Sequence, residues 1–163
     1  MSLSASAARV QDFLNRYGTT FRVIELADSS RTAGQAAQAL GCGVAQIVKS
    51  LIFVTKEAKT PVLVLVSGSN RVDEKILEQY LNEAISKADA AFVRDVTGFA
   101  IGGIPPIGHK QQLETYIDED LFQYEELWAA AGTPHAVFKL TPNELKSLSS
   151  GRVVSIKMAP LGV

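Results

Sequence analysis

Two apolar segments separated by a short polar loop constrain the fold of this 163-residue chain more than any other feature. The segments "SLIFVT" (50–55) and "PVLVLVSG" (61–68) carry apolar side chains at successive positions, which is typical of central strands covered on both faces. The polar "EAKT" between them suits a hairpin loop. Because one strand pair is joined directly, the pattern favours a mixed sheet over a purely doubly wound one.

Helical and extended patterns alternate through the rest of the chain. Helical spacing predicts helices over 4–18, 33–41, 73–82, 89–98 and 142–149, with a short helical turn at 44–49. Strands are predicted at 21–26, 113–118, 136–140 and 153–158. Thr32 can cap the second helix, and Thr141 with Glu144 forms a capping box around a proline in its favoured place. We therefore expect an α/β (α+β) single domain over 1–163, a twisted mixed sheet of about six to seven strands surrounded by helices.

Composition excludes several functional classes. The chain has 16 Lys and Arg residues and 17 Asp and Glu residues, so its positive and negative charges nearly balance. We therefore expect no DNA binding through overall positive charge, although binding of a short nucleic-acid end remains compatible with this composition. One cysteine and two histidines argue against a disulfide and a metal site, and we expect no cofactor. The longest apolar stretches are far too short to span a membrane, and the first residues do not resemble a secretory signal. We expect a cytoplasmic protein.

Lys49 lies where the predicted helical turn runs into a buried strand. One interpretation is a lysine at a strand end that extends its ammonium to solvent. The other is a fixed cation at a pocket rim, suited to a phosphate or a developing negative charge. Ser50 beside it can donate or accept a hydrogen bond.

The segment "AIGGIPPIGHK" (100–110) is either a turn or a ligand-binding loop. In the second interpretation Gly102 and Gly103 let a ligand approach the main chain, while Pro105 and Pro106 keep the loop stiff. A stiff loop loses little entropy on binding. His109 contacts the ligand or simply caps a turn.

A third candidate element is "AAGTPHAVF". Gly132, Thr133 and Pro134 form a predicted turn that places His135 at the mouth of a strand, where pockets commonly form. A lone histidine is more often structural than catalytic. Cys42 follows a predicted helix, where the dipole disfavours a thiolate, so a structural role is expected. The chain contains no G-x-S-x-G, HExxH or P-loop motif.

The ordered trio "TAGQAAQALGCGVAQIVKSLIF", "VTGFAIGGIPPIGH" and "GTPHAVFKLTPNEL" resembles the YbaK/ProRS-associated editing-domain family. That family includes free-standing proteins and the insertion domain of bacterial prolyl-tRNA synthetases. The resemblance covers about residues 20–155. Lys49 matches the family lysine, Gly102 and Pro106 match its glycine-to-proline loop, and His135 ends the matching turn. Ile107 departs from the family, whose members often carry Phe there.

The resemblance implies an aminoacyl-tRNA deacylase that works in trans without a metal or a protein nucleophile. Its implied substrate is tRNA(Pro) carrying a small wrong amino acid such as Ala, Cys, Ser or Thr. Lys49 would bind the terminal phosphate or ribose, the Gly102–Pro106 backbone would hold the aminoacyl group, and His135 would position substrate or water. The implied substrate-binding residues are Ser50, Gly103, Ile104, Pro105, Pro106, Gly108, His109, Gly132, Thr133 and Pro134.

The implied partners are the tRNA acceptor end and, beyond it, prolyl-tRNA synthetase or an elongation factor. Two alternatives stay open at this point. One is a non-catalytic module that binds the acceptor end or a nucleotide. The other is a hydrolase of a different ester that uses Cys42 and His135.

Overall fold

A computed structural model describes residues 3–18, 20–27 and 32–159 of the chain. Its helices are α1 (Ala5–Leu14), α2 (Ala33–Leu40), α3 (Glu74–Leu81), α4 (Ala90–Thr97) and α5 (Pro142–Ser149). Its strands are β1 (Val23–Glu25), β2 (Ile47–Thr55), β3 (Pro61–Ser67), β4 (Ile85–Lys87), β5 (Glu114–Asp118), β6 (Leu127–Ala130), β7 (Ala136–Leu140) and β8 (Arg152–Val154). Within these ranges no helix has both the length and the apolar character that a bilayer crossing needs.

The strands form one mixed sheet in the order β1-β7-β6-β2-β3-β5-β8, with β4 paired to the far end of β2. The predicted hairpin is present, since β2 and β3 pair antiparallel from Val48 opposite Ser67 to Val54 opposite Pro61. Strands β3 and β5, β5 and β8, and β2 and β6 pair in parallel. The expected mixed α/β architecture is confirmed. The described residues contain eight strands because β4 and β6 join the six that the sequence predicted.

The boundary before β2 differs from its prediction. The helical turn predicted over 44–49 is a 3₁₀ turn that ends at Gln46, and β2 begins at Ile47. The reason is tertiary, because Ile47 and Val48 pair with Trp128 and Ala129 of β6. Lys49 is therefore the third residue of a strand, with a side chain direction set by the sheet.

Both faces of the central strand β3 are buried, as its apolar run indicates. Leu63 and Leu65 belong to the larger core cluster, which includes buried residues of α1, α4 and α5. Val62, Val64 and Val66 point to the opposite face and pack in a second cluster with Leu77 of α3 and Ile156. All five β3 side chains have no exposed surface. The sheet thus has two apolar faces, each covered by helices.

Capping boxes begin α2 and α5; the sequence predicted the box at α5 and, for α2, only a Thr32 cap. The Thr32 hydroxyl accepts from the Gln35 N–H at 3.1 Å, and the Gln35 side chain accepts from the Thr32 N–H at 3.1 Å. Thr141 and Glu144 form the same reciprocal pair at the start of α5. The first box matters for the site because it fixes where α2 begins, and the start of α2 lines the cavity described below.

Candidate active site

A cavity of about 250 Å³ lies where α2 begins beside the middle of the sheet. We call it the Lys49 cavity. Its lining comes from the start of α2 (Thr32, Ala33, Ala36), β2 (47–51), the loop after α4 (Ile101, Gly102, Ile104), β6 (Trp128, Ala130) and the turn into β7 (Pro134, Val137). Segments far apart in sequence therefore meet here. Of the predicted site residues, the cavity brings together Lys49, Ser50, Gly102, Ile104 and Pro134.

Lys49 is half-buried and held by a neutral acceptor. Its Nζ donates a hydrogen bond to the backbone oxygen of Asn70 at 2.8 Å. Burial lowers the pKa of Lys49, the positive charge of Arg71 lowers it further, and the carboxylate of Asp118 partly offsets both. A carbonyl does not neutralise an ammonium, so the Lys49 charge can still act on an anion in the cavity.

The sequence analysis missed the residues that support Lys49. Asn70 Nδ2 donates to Asp118 Oδ2 at 2.8 Å and to Asp120 Oδ2 at 2.9 Å. Asp118 is fully buried, and its Oδ2 also accepts from the Ser67 N–H at 3.1 Å. A signal was available, because Asn70 follows β3 and Asp118 ends β5. The carboxyl ends of adjacent parallel strands are where ligand sites concentrate.

Gly102 offers an unused backbone to the Lys49 cavity. Its φ is +93°, a region that L side chains rarely adopt, and the residue is exposed. Within the described ranges its N–H and C=O form no hydrogen bond. A Cβ at this position would lie 3.6 Å from Pro134 Cγ, which is ordinary contact. Gly102 is therefore required for its conformation, and its polar groups are available to a ligand.

Gly103 has a different role from Gly102. Its N–H donates to the Ala100 oxygen at 3.0 Å, and its oxygen accepts from the Gly132 N–H at 2.9 Å. A Cβ on Gly103 would approach Thr133 Cα to 2.7 Å and Thr133 N to 2.8 Å. Gly103 thus joins the loop to the turn at 132–135, and its backbone groups are already occupied.

The far end of the loop faces away from the Lys49 cavity. Pro106, Gly108 and His109 line a separate cavity of about 330 Å³, which we call the His109 cavity. His109 Nε2 donates to the Pro105 oxygen at 2.7 Å and so closes the loop on itself. Burial lowers the pKa of His109, although this hydrogen bond opposes the shift.

The turn before β7 contributes Pro134 to the Lys49 cavity. Thr133 Oγ1 accepts from the Ala136 N–H at 3.0 Å and from the His135 N–H at 3.3 Å, which fixes the turn. His135 Nδ1 and Ser50 Oγ are buried and have no hydrogen-bond partner among the described residues. Ser50 lines the cavity, whereas His135 follows the lining residue Pro134. A buried polar atom without a hydrogen-bond partner costs free energy, so a polar group of a ligand or a water would be stabilising at either position.

Cys42 lies outside the Lys49 cavity and packs in a small apolar cluster with Ala36, Leu40 and Trp128. Burial raises the pKa of the Cys42 thiol. The neutral thiol is therefore favoured, which is the opposite of what a nucleophilic cysteine needs. Among the described residues, no three His, Cys, Asp or Glu side chains are grouped so that they could hold a metal ion.

These features define an α/β domain in which one cavity is lined by a lysine cation and by a glycine whose backbone has no hydrogen-bond partner among the described residues. The family model for the aminoacyl-tRNA editing domain matches residues 27–148. The chain belongs to this family, and it is an aminoacyl-tRNA deacylase, that is, an ester hydrolase. Its binding partner is accordingly aminoacyl-tRNA.

Similar proteins agree with this assignment. The crystal structure of a candidate trans-editing enzyme for prolyl-tRNA synthetase is 48% identical, with a TM-score of 0.93 over 97% of this chain and 100% of that one. The uncharacterised protein YwhH of Bacillus subtilis (strain 168) is 31% identical over 80% of this chain and 83% of its own length. A candidate Cys-tRNA(Pro)/Cys-tRNA(Cys) deacylase, EbsC of Enterococcus faecalis, is 29% identical over 77% and 76%.

Proposed function

We propose that this protein removes a small, wrongly attached amino acid from tRNA(Pro) in trans, in the cytoplasm, as a single domain. Two similar proteins are named for the same branch of editing, one for prolyl-tRNA synthetase and one for Cys-tRNA(Pro). The observation that carries the proposal is that one cavity is lined by Lys49 and by Gly102, whose backbone forms no hydrogen bond within the part of the chain that the structure describes. An anion and an ester carbonyl can therefore be held at the same place.

The chemistry needs little from the protein. An aminoacyl ester is already activated, so a positioned water can add to its carbonyl carbon and form a tetrahedral oxyanion. The carbon–oxygen bond to the ribose then breaks, and the leaving ribose oxygen takes up a proton. Backbone donors placed at the oxyanion are worth several kcal/mol in comparable sites, about 2.7–4 for one donor. Neither a metal nor a protein nucleophile is required in this scheme.

Each candidate residue takes a role that suits its surroundings. Lys49 binds the terminal phosphate or the ribose region, because its ammonium donates to a neutral carbonyl and, among the described residues, forms no ion pair. Gly102 presents its backbone to the ester. His135 positions the substrate or the water, and its Nδ1 still lacks a partner within the described ranges. Of the remaining predicted residues, Ser50, Ile104 and Pro134 contact the substrate directly, while Gly103, Gly132 and Thr133 hold the loop and the turn together.

Amino acid selection follows from an apolar wall. Ala33, Ala36 and Val137 line the cavity with small or branched apolar side chains. Such walls separate side chains that differ by one methylene by only about 1–3 kcal/mol. We therefore expect a graded preference among Ala, Cys, Ser, Thr and 2-aminobutyrate.

The test is a deacylation panel with tRNA(Pro) charged separately with those five amino acids and with proline. We expect release of at least one small amino acid well above the spontaneous rate, unchanged by a metal chelator. Lys49→Ala should lose most of the activity, whereas Lys139→Ala, an exposed lysine paired with Glu126, should keep it. Full activity of Lys49→Ala on every substrate would refute the proposed site.

The same panel separates the alternative of a non-catalytic binding module. That module would bind the acceptor end saturably and release no amino acid above background. Adding prolyl-tRNA synthetase or an elongation factor to the assay tests the proposed partners. A partner that matters changes the rate or the selectivity at a fixed concentration of charged tRNA.

A further inference from the structure

The residues that follow β8 lie against the loop that carries Asn70, and no step described above uses them. Residues 156–158, which we call the clasp, run antiparallel to residues 71–73. Two backbone hydrogen bonds and one bridge join these segments: the Met158 N–H donates to the Arg71 oxygen at 2.8 Å, the Asp73 N–H donates to the Ile156 oxygen at 2.7 Å, and Val72 lies opposite Lys157. The clasp therefore holds the backbone directly after Asn70.

The clasp is itself anchored in the core. Ile156 has no exposed surface and packs in the second core cluster, which includes Val66 of β3 and Leu77 of α3. Val72 belongs to the same cluster, so the two paired segments share one apolar contact region. Burial of this apolar area keeps the clasp in a fixed place relative to β3 and α3.

The Lys157 side chain extends this support to the side chain of Asn70. Lys157 Nζ donates to Asp120 Oδ2 at 2.7 Å, and the same oxygen accepts from Asn70 Nδ2 at 2.9 Å. The Lys157 ammonium lowers the pKa of Asp120, and the Asn70 amide lowers it further. Asp120 therefore stays ionised near neutral pH and acts only as an acceptor, which keeps the amide nitrogen of Asn70 turned toward it.

We propose that the clasp positions Lys49 for the reaction, with Lys157 as a positioning residue that acts through Asp120 and Asn70. This inference rests on the proposed function of Lys49. Each link is one direct hydrogen bond of 2.7 to 2.9 Å, and the last is the bond from Lys49 Nζ to the Asn70 oxygen. Lys157 and Asp120 are not among the residues that line the Lys49 cavity, so their effect on the reaction passes through Lys49.

A lysine depends on this kind of support because its stem is long and flexible, so its ammonium can take many directions. The Asn70 oxygen selects one of them for Lys49, and it does so only while the Asn70 backbone stays in place. If the loop moves, Lys49 spends less time directed at the substrate anion. The rate then falls, because the reacting geometry is formed less often.

The first test measures backbone order without any substrate. Hydrogen–deuterium exchange of the amides in 68–73 is compared between the unsubstituted protein and Lys157→Met. We expect exchange in this segment to be about threefold faster in Lys157→Met, because local opening is easier once the clasp loses its ion pair. Lys139→Met breaks the pair with Glu126 elsewhere on the surface and should leave 68–73 unchanged. Unchanged exchange in Lys157→Met would overturn the proposal.

The second test measures deacylation of charged tRNA. Lys157→Met should lower kcat/KM about three- to fivefold, the size expected for one partly exposed ion pair. Lys157→Arg should recover most of this loss, since an arginine also donates a charged hydrogen bond to a carboxylate. Lys139→Met should change kcat/KM by less than about twofold. Full activity in Lys157→Met, or no recovery in Lys157→Arg, contradicts the role given to Lys157.

A double-mutant cycle shows whether Lys157 acts through Asn70. The loss in Lys157→Met should fall in the same kinetic parameter, kcat or KM, as the loss in Asn70→Ala. In the Asn70→Ala background, Lys157→Met should cause little further loss, since the link between Asp120 and Lys49 is already broken. Losses that multiply would mean that Lys157 acts independently, for example by direct contact with the tRNA phosphates, and the proposal would then fall.

The backbone part of the clasp has its own test. Met158→Pro removes the N–H that donates to the Arg71 oxygen, whereas Met158→Ala keeps it. Met158 is exposed, so neither change empties the core. We expect Met158→Pro, but not Met158→Ala, to speed exchange in 68–73 and to lower kcat/KM about threefold. Equal behaviour of the two variants would refute the positioning role of the clasp backbone.

The two kinds of readout separate this inference from the proposed function. Faster exchange in Lys157→Met, in a protein that deacylates no charged tRNA, would refute the function and leave the link between the clasp and the Asn70 loop standing. A working deacylase in which Lys157→Met and Met158→Pro both keep full kcat/KM would leave the function standing and overturn the inference.

Discussion

The ammonium of Lys49 donates to the backbone oxygen of Asn70 at 2.8 Å, and not to a carboxylate. The carbonyl is fixed because the Asn70 side chain is itself held by Asp118 and Asp120. Of these two carboxylates, Asp118 also acts on Lys49 by its charge, which raises the pKa of Lys49 against the effect of burial. The arrangement fixes the direction of the cation and leaves its charge available to a substrate anion.

Replacing Asn70 should damage both stability and activity. Asn70→Ala removes the Nδ2 donor from Asp118 and Asp120, and Asp118 is fully buried. We expect a loss of about 1–3 kcal/mol in the free energy of unfolding, measured with urea. We also expect kcat/KM for charged tRNA to fall about tenfold, because the carbonyl that orients Lys49 is no longer held. Ser69→Ala, an exposed neighbour, is the control; equal effects in both variants would contradict this account.

The two adjacent glycines should respond differently to alanine. Gly102→Ala places a side chain at φ +93° but meets only Pro134 at 3.6 Å, so we expect a cost of about 1–2 kcal/mol and a clear loss of activity. Gly103→Ala forces a Cβ to within 2.7 Å of Thr133 Cα, and a cost of more than about 3 kcal/mol is expected. Urea unfolding of both variants checks the order.

Gly34→Ala is the matched control for those two changes. Among the described residues its Cβ would meet only Thr32 Oγ1, at 4.0 Å, and alanine is the better helix former by about 1 kcal/mol. We expect Gly34→Ala to be neutral or stabilising. A Gly103→Ala protein as stable as the unsubstituted one would show that the loop and the 132–135 turn are not packed as described.

His109 should make stability depend on pH. Burial lowers the pKa of His109 below its ordinary value of about 6.5, so the folded protein binds this proton less readily than the unfolded chain. Its contribution is present above about pH 6.5 and is lost as the pH falls from there through the lowered folded value. His109→Gln keeps a donor for the Pro105 oxygen but cannot titrate. Thermal unfolding between pH 8 and pH 5 should therefore vary less in this variant, and an unchanged pH dependence would rule out His109 as its source.

Cys42 should be dispensable for catalysis. Burial raises the pKa of its thiol, so the thiolate is scarce near neutral pH. We expect Cys42→Ser to keep kcat/KM within about twofold, and iodoacetamide to react slowly with the native protein. If Cys42→Ser instead lost most of the activity while circular dichroism showed an intact fold, the result would support the alternative hypothesis of a hydrolase that uses Cys42 and His135.

The sequence was sufficient where structure depends on neighbours in the chain. The capping boxes at Thr32 and Thr141 form because each threonine is followed three positions later by a Gln or Glu that completes the reciprocal pair. The β2–β3 hairpin forms because both strands are apolar on both faces and a polar loop joins them. Strand β4 was missed because three residues carry too little pattern, and β4 exists through its pairing with β2. Strand β6 similarly depends on pairing with β2 and β7.

The order of residue types along the chain was enough to predict the mixed sheet and the buried hairpin. It also identified Lys49, Gly102 and the 132–135 turn as candidate parts of a binding site. Only the tertiary structure decided which candidates share a cavity. Gly103 packs against Thr133, thirty positions away, and so does not offer its backbone to the Lys49 cavity. Pro106 and His109 line the His109 cavity instead. Asn70 and Asp118 acquire their importance from tertiary contacts in the same way, because Asn70 holds Lys49 and Asp118 holds Asn70. Periodicity and capping are local, whereas a site is made of contacts between segments whose approach is set by the whole sheet.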